Sequence, residues 1–392
     1  MKRNISIVFL LLTMPLAIVN SQELETVLRS IGQNNKELQA GGHLTEAKKQ
    51  EAGVSNNLED PSVTYSYQFG SPQELGKSGE LTVSQGFDFP TVYAARTDLN
   101  RLKDRAYDRQ YSLMRRDILL RAKELCLDLV LLNQEKMLLD ERLANADRLA
   151  GIYEKRLQTG DANILEANKI KMERMKVLAE AAANASSRDA KLQELAGMNG
   201  GNVLSFAETV YAPVQELADF THLKEEVLTS DLALQSLTDE SLAARKLVSV
   251  NKSGWLPKLE VGYRRNTGKG EQFNGFIVGG SLPLFSNKGK VKIARAQALY
   301  ADLQKESAAE QAEASLLALY NEARQVKSTL GAYDSKLITE SQELLRRALD
   351  GRQISIMEYF VELENIYASR LEQMQLENRY QKIMGQIWKN QL

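Results

Sequence analysis

The chain has 392 residues, with 50 Lys and Arg against 51 Asp and Glu, 7% aromatic residues, seven Pro and one Cys. Balanced charge, with no basic stripe interleaved with aromatics, excludes nucleic acid as a partner, and a single Cys excludes an internal disulfide. All the Pro stand outside long runs rich in Leu, Ala, Glu, Lys, Arg and Gln, the composition of long helices rather than of several compact cores.

Lys2 and Arg3 precede an apolar run from Ile5 to Val19, and Val19-Asn20-Ser21 has the spacing a signal peptidase reads; residues 1–21 are expected to be a removed secretory signal. No Cys follows that run, so a lipid-anchored N-terminus is not supported. Glu23 to about Asn57 is predicted helical, although Gly41-Gly42 in its interior should weaken it by roughly 1 kcal/mol per Gly relative to Ala.

Val63, Tyr65, Tyr67 and Phe69 then alternate with Thr64, Ser66 and Gln68, and Leu81, Val83, Phe87 and Phe89 alternate with Thr82, Ser84, Gly86 and Asp88. Period-two alternation predicts a β-hairpin with one greasy and one wet face, joined by a loop over 70–79. Pro90 should close it. From Thr91 to Leu157 the pattern is helical: Ile118, Ala122, Leu125, Leu129, Leu132, Leu139, Leu143 and Ala146 follow spacings of three and four, with Lys136 in a skipped position. Such a helix would reach about 100 Å. Leu119, Leu120, Leu127, Leu131 and Leu138 widen the stripe, so this rod should pack on two sides. Cys126 lies on the stripe and is expected to pack in a core. Gln158-Thr159-Gly160-Asp161 breaks the rod, and a second helix should return from Asn163 to Met198, stopped by Gly200-Gly201.

The order then repeats about 195 residues later. A helix is predicted over 222–251. Leu259, Val261 and Tyr263 alternate with Glu260, Gly262 and Arg264, and Phe276, Val278, Leu282 and Leu284 alternate with Ile277, Gly279 and Ser281, with a polar loop over 266–274. A rod from Gly289 to Leu349 carries Leu316, Tyr320, Ala323, Leu330, Tyr333 and Leu337 on its stripe, breaks at Asp350-Gly351-Arg352, and returns from Ser355 to about Lys389. The chain therefore reads as a duplication. Residues 22–215 hold a helix, a β-hairpin at 61–90, a coiled hairpin at 91–198 and an equatorial segment at 199–215; residues 216–392 hold a helix, a β-hairpin at 256–285 and a coiled hairpin at 289–390. The fold class is mainly α with membrane β.

No later segment is hydrophobic enough for a membrane helix, but aromatics on one face of alternating strands suit the lipid side of an outer-membrane barrel. Four strands cannot close one, since the smallest have about eight, so copies of the chain must share it. The alternative is a periplasmic coiled-coil adaptor or scaffold of an export complex; adaptors, however, carry a single hairpin inside small β-domains.

With Asp60-Pro61-Ser62-Val63-Thr64-Tyr65 and Trp255-Leu256-Pro257-Lys258-Leu259 opening the strands, Leu282-Pro283-Leu284-Phe285, Gly289 and Ala294-Arg295-Ala296 entering a long helix, and Leu192 to Gly197 ending a returning one, the chain resembles the TolC-like outer membrane factors. These are the exit ducts of tripartite efflux pumps and type I secretion systems. The Asp60-Pro61 opening looks more like their heavy-metal efflux branch, of which CzcC is representative. The resemblance implies a homotrimer with a 12-stranded β-barrel in outer-membrane lipid, continued by a periplasmic α-helical barrel, in a Gram-negative bacterium. It also implies a periplasmic adaptor, or membrane fusion, protein and an inner-membrane pump of RND or ABC type as partners. The residues matching adaptor-contacting tips are Arg156, Leu157, Thr159 and Gly160, and Leu349, Gly351 and Arg352; Gly at a tip suits a turn needing positive φ. Glu358, its repeat mate Glu166, and Glu362 match a narrow acidic entrance, where threefold symmetry would set three carboxylates in a ring that favours cations. Val361 stands where some members carry a further acid.

No catalytic constellation is present: no nucleophile with its base, no phosphate loop, and no metal-ligand spacing around His43 or His222. No enzyme activity and no cofactor are expected. His43 and His222 are read as surface residues, and Met172, Met175, Met374 and Met384, at helical spacing, as core.

Overall fold

The computed structural model describes residues 22–72, 76–268 and 271–392. The expected signal segment, residues 1–21, lies outside the described residues. Two compact units divide the chain: unit 1 takes residues up to 36, 116–223 and 316–392, and unit 2 takes 37–115 and 224–315. Each draws on both halves of the sequence.

Unit 2 contains the sheet. Strands β1 (Ser62–Phe69), β2 (Lys77–Phe87), β3 (Lys258–Gly268) and β4 (Glu271–Ser281) form one antiparallel sheet in the order β1-β2-β3-β4. The strands run closer to their turns than alternation suggested, because β2 begins at Lys77 and β4 at Glu271, where the flanking polar residues still pair. Phe89 lies beyond the end of β2, Leu282 and Leu284 beyond the end of β4. Pro90 does not close the strand but opens helix α3 (Pro90–Gln158), a first-turn position where its missing N–H costs nothing.

Helix α2 (Lys36–Val54) runs through Gly41-Gly42 without a break. A Cβ on Gly41 would stand 2.0 Å from Met114 Cε, with the Tyr111 ring also within reach, so the glycines let α2 approach α3 closely. Close packing offsets the propensity cost anticipated from the sequence. The helix predicted over 23–57 is in fact two, since α1 (Gln22–Asn34) stops one residue before α2. The predicted 222–251 helix is likewise α5 (Phe220–Thr229) and α6 (Leu232–Ser253), restarted by Asp231, whose carboxylate accepts from Ala233 N and Leu234 N at 2.9 and 3.0 Å.

Unit 1 is helical. The wide stripe of α3 is buried: Ala122, Leu125, Cys126 and Leu129 sit with Leu119, Leu127, Val130, Val27, Ile31 and Leu195 in one core, closed by Phe206 and Tyr211 of the irregular 201–219 segment. Burial pushes the Cys126 thiol pKa up to about 12, which keeps it unreactive. Helix α4 (Ile164–Met198) ends at Asn199 followed by Gly200 and Gly201, both at positive φ.

The mirrored rod is not continuous. Helix α7 (Lys290–Leu330) ends before Gly331, and α8 (Ser335–Asp350) restarts where Asp334 accepts from Lys336 N and Leu337 N, both at 3.0 Å. A side-chain cap satisfies the orphan donors of a new helix and resets the stripe, leaving Leu337 60% exposed rather than buried. Helix α9 (Ile356–Ile387) completes the chain before a short C-terminal turn. Met384 is buried, but Met172 and Met175 are not core residues: both lie on the solvent side of α4, with Leu165. His43 and His222 are exposed.

Candidate functional site: a two-faced sheet and two helix-hairpin tips

Cross-strand register gathers most of the apolar strand residues on one face, which also carries Gln85 and Arg265. Val63, Val83, Tyr263 and Phe276 form one row, Tyr65 pairs with Leu81, and Val261 pairs with Val278. Tyr67 and Phe69 continue this face on β1, where their rings meet edge to face at 4.9 Å; Phe87 pairs with Leu259 at the other end. The edge residues Val63, Phe69, Phe276 and Val278 are 68%, 72%, 88% and 84% exposed. The opposite face holds Ser62, Thr64, Ser66, Thr82, Ser84 and Gly262, with Arg264 and Glu80 paired at 3.3 Å, and from β4 it also carries Ile277 and the 66% exposed Phe273. An exposed apolar face of this extent marks contact with lipid or another protein. Among the described residues the outer sides of β1 and β4 have no strand partner, a state that a membrane does not tolerate.

In unit 1, α3 and α4 form one hairpin tip, α8 and α9 the other. Both tips close by the same bonds. At the first, Gly160 N donates to Leu157 O at 3.3 Å and Asp161 N to Arg156 O at 2.7 Å; at the second, Arg352 N donates to Leu349 O at 3.1 Å and Gln353 N to Ala348 O at 2.8 Å. This is the Schellman arrangement, whose penultimate residue takes a left-handed conformation. That residue is Gly160 (φ 78°) in the first tip and Arg352 (φ 56°) in the second. The expectation that Gly351 supplies the positive φ is therefore corrected, since its φ is −78°.

Leu349 is 4% exposed and packs with Leu149, Tyr153, Ile170, Ile356, Tyr359 and Phe360 beneath the tips. Being in this core, it offers no side chain to a partner, contrary to its expected place among the contact residues. Thr159, Gly160, Gly351 and Arg352 are exposed, and Arg156 and Leu157 half-buried. Arg156 lies over the Tyr153 ring at 5.1 Å, and the Thr159 hydroxyl donates to Arg156 O at 3.1 Å.

Glu166 and Glu358 each occupy the third position of a returning helix and close a capping box. Asn163 accepts from Glu166 N at 3.0 Å while Glu166 accepts from Asn163 N at 2.9 Å. Ser355 accepts from Glu358 N at 3.2 Å while Glu358 accepts from Ser355 N at 2.8 Å. Those bonds hold the Glu358 carboxyl below the usual carboxylate range. The motif is legible as Asn163-Ile-Leu-Glu166 and Ser355-Ile-Met-Glu358, which gives both acids a local structural role beside the expected entrance role. Glu362 and Val361 are exposed.

Above the tips, charged side chains cross between helices. Arg142 of α3 binds Glu173 at 2.9 Å and Glu180 at 2.5 Å of α4, and lies 5.1 Å over the Tyr367 ring of α9. Lys176 of α4 pairs with Glu364 of α9. Nothing in the sequence separated these ions from solvated helix-surface charge. A cleft of about 930 Å³ between α3, α8 and α9 is crossed by Arg370 on Glu141 at 2.9 Å; its lining holds no nucleophile beside a base. Among the described residues no group of His, Cys, Asp or Glu could hold a metal ion, and no helix is long and apolar enough to cross a membrane.

Solved structures share this architecture. CusC, studied for conformational changes accompanying folding and transmembrane channel formation, superposes with a TM-score of 0.77 at 14% identity, covering 94% of this chain and 91% of that one. The Campylobacter jejuni CmeC outer membrane channel gives 0.72 at 14%, covering 94% and 85%. The outer membrane protein VceC of Vibrio cholerae gives 0.73 at 15%, covering 96% and 99%. The fold is TolC-like. No protein-family model and no curated protein sequence matches the chain. Identity this low carries the architecture, and function must be argued from the surfaces.

Proposed function

We propose that the chain is the outer-membrane channel component of a tripartite efflux or type I secretion system, a passive duct from periplasm to exterior. The observation that carries this reading is the sheet: four strands, up and down in sequence order, mainly apolar on one face and mainly polar on the other, with both edges open among the described residues. An even, antiparallel order lets β4 of one copy pair with β1 of the next in the same antiparallel sense. Three copies give the 12 strands of the implied barrel, with the apolar face toward lipid and the Thr64, Thr82 and Arg264 face toward water. Closure also removes the open edges.

The helical hairpins then extend into the periplasm, where Arg156, Leu157, Thr159, Gly160, Gly351 and Arg352 are the surface offered to an adaptor protein, with an RND or ABC pump supplying the energy. Glu166, Glu358 and Glu362 are the acids available to an entrance. Because Gln also serves in a capping box, Glu358→Gln removes charge while keeping the local structure.

Native mass spectrometry of the detergent-purified mature chain should give a trimer, and planar bilayers should show conductance whose block by divalent cations weakens in Glu358→Gln. A stable, detergent-free monomer would overturn the channel reading; unchanged block would remove Glu358 from the entrance.

A further inference from the structure

The two handovers from strand to long helix in unit 2 differ in charge. After β2, Asp88 pairs with Arg96 at 2.7 Å and Asp98 with Lys246 at 2.7 Å, while Lys258 is held by Glu59. After β4 no acidic residue occurs between Glu271 and Asp302. Lys288, Lys290, Lys292 and Arg295 in that stretch are all exposed, and none of the four is in an ion pair among the described residues. Four unpaired cations within two helical turns repel one another unless an anion joins them.

Exposed apolar side chains precede them in the chain. Leu282, Leu284 and Phe285 are 70%, 64% and 85% exposed, and Trp255 is 47% exposed. The junction that presents them is tied down: the buried Asn287 side chain donates to Gly254 O, and Asn251 Nδ2 donates to Lys290 O at 3.4 Å. Leu282 directly follows Ser281, the last residue of β4, where the chain turns and Leu284 N donates to Leu282 O at 2.9 Å. The patch thus adjoins the end of the strand that carries Phe276 and Val278 on the oily face, and there the surface turns basic and aromatic.

That sequence of surfaces, oily and then aromatic with cations, matches a bilayer crossing from acyl chains to headgroups. Trp and Phe suit the boundary, and Lys and Arg extend their stems along apolar surface while their charges reach phosphate. We propose that this patch binds anionic phospholipid headgroups in the leaflet at the helical end of the sheet, with Lys288, Lys290, Lys292 and Arg295 taking the phosphates and Phe285 and Leu282 the acyl chains. The inference rests on the channel reading, in which the apolar face lies in lipid. An acidic protein would satisfy the charges, but it would leave the continuity with the oily face without a purpose.

The test is native mass spectrometry of the full mature chain in detergent, titrated with dioleoyl phosphatidylglycerol or dioleoyl phosphatidylethanolamine. Retention of phosphatidylglycerol over phosphatidylethanolamine is expected, falling roughly tenfold or more in Lys288→Gln/Lys290→Gln/Lys292→Gln/Arg295→Gln. Removing Lys169 and Lys171 of unit 1 in the same way should leave the preference intact. Equal retention of the two lipids by the wild-type chain overturns the proposal without need of any variant. Loss of phosphatidylglycerol to inorganic phosphate at matched ionic strength also overturns it, as would co-purification of an acidic protein in place of lipid. A detergent-bound trimer without lipid preference defeats this proposal alone; a detergent-free monomer defeats the channel reading beneath it.

Discussion

The two tips of unit 1 reach one backbone geometry from different residues. Gly160 takes the left-handed position at the end of α3, where the missing Cβ removes the penalty. At the end of α8 the same position falls to Arg352, with Gly351 one residue too early. The closing hydrogen bonds are equivalent, and so are the capping boxes that follow, with Asn163 in one and Ser355 in the other. The comparison teaches that the turn is specified by its bonds, and that glycine eases it without defining it.

The sharpest way to break the equivalence is beneath the second tip. Leu349→Ala empties a buried site and should destabilise unit 1 by about 2–5 kcal/mol, read as a fall in the thermal midpoint. Loss of adaptor binding with an unchanged midpoint would instead place Leu349 at the contact surface. Next, Gly160→Ala forces a Cβ into a left-handed conformation and should cost about 1–2 kcal/mol. The reverse change at the matching position, Arg352→Gly, should stabilise by up to about 1 kcal/mol. Opposite signs in the two midpoints would establish positional equivalence; equal signs would refute it.

The smallest effect separates cap from charge. Glu358→Ala removes the acceptor for Ser355 N and should lower the midpoint by about 1 °C, whereas Glu358→Gln should stay near wild type. Acid tests the same bond. With its folded pKa depressed, Glu358 adds stability above its unfolded pKa and loses it as pH falls through the folded value. Glu358→Gln should lack that increment in an acid titration of stability.

Local pattern made much of this readable. Alternation assigned Val63, Tyr65, Val261 and Phe276 to one face, because a strand's side-chain period does not depend on its neighbours. Spacings of three and four marked the buried stripe of α3 through Ala122, Leu125 and Leu129 for the same reason. The tip acids are half-legible: their place after each break follows from the pattern, and the spacing Asn163 to Glu166 and Ser355 to Glu358 marks a capping box, but exposure at an entrance depends on neighbours that no local window contains.

What the sequence by itself determined are the periodicities and caps of single segments: two-faced strands, long amphipathic helices, breaks at Gly160 and Gly351. Only tertiary structure decided that β2 pairs with β3, that the rod of the second half restarts at Asp334, that Leu349 lies inside and Met172 outside, and that Arg352 bears the left-handed turn. Periodicity arises from bonds a few residues apart, whereas pairing, burial and strain depend on which distant segments share the same space, and no short window of sequence contains that information.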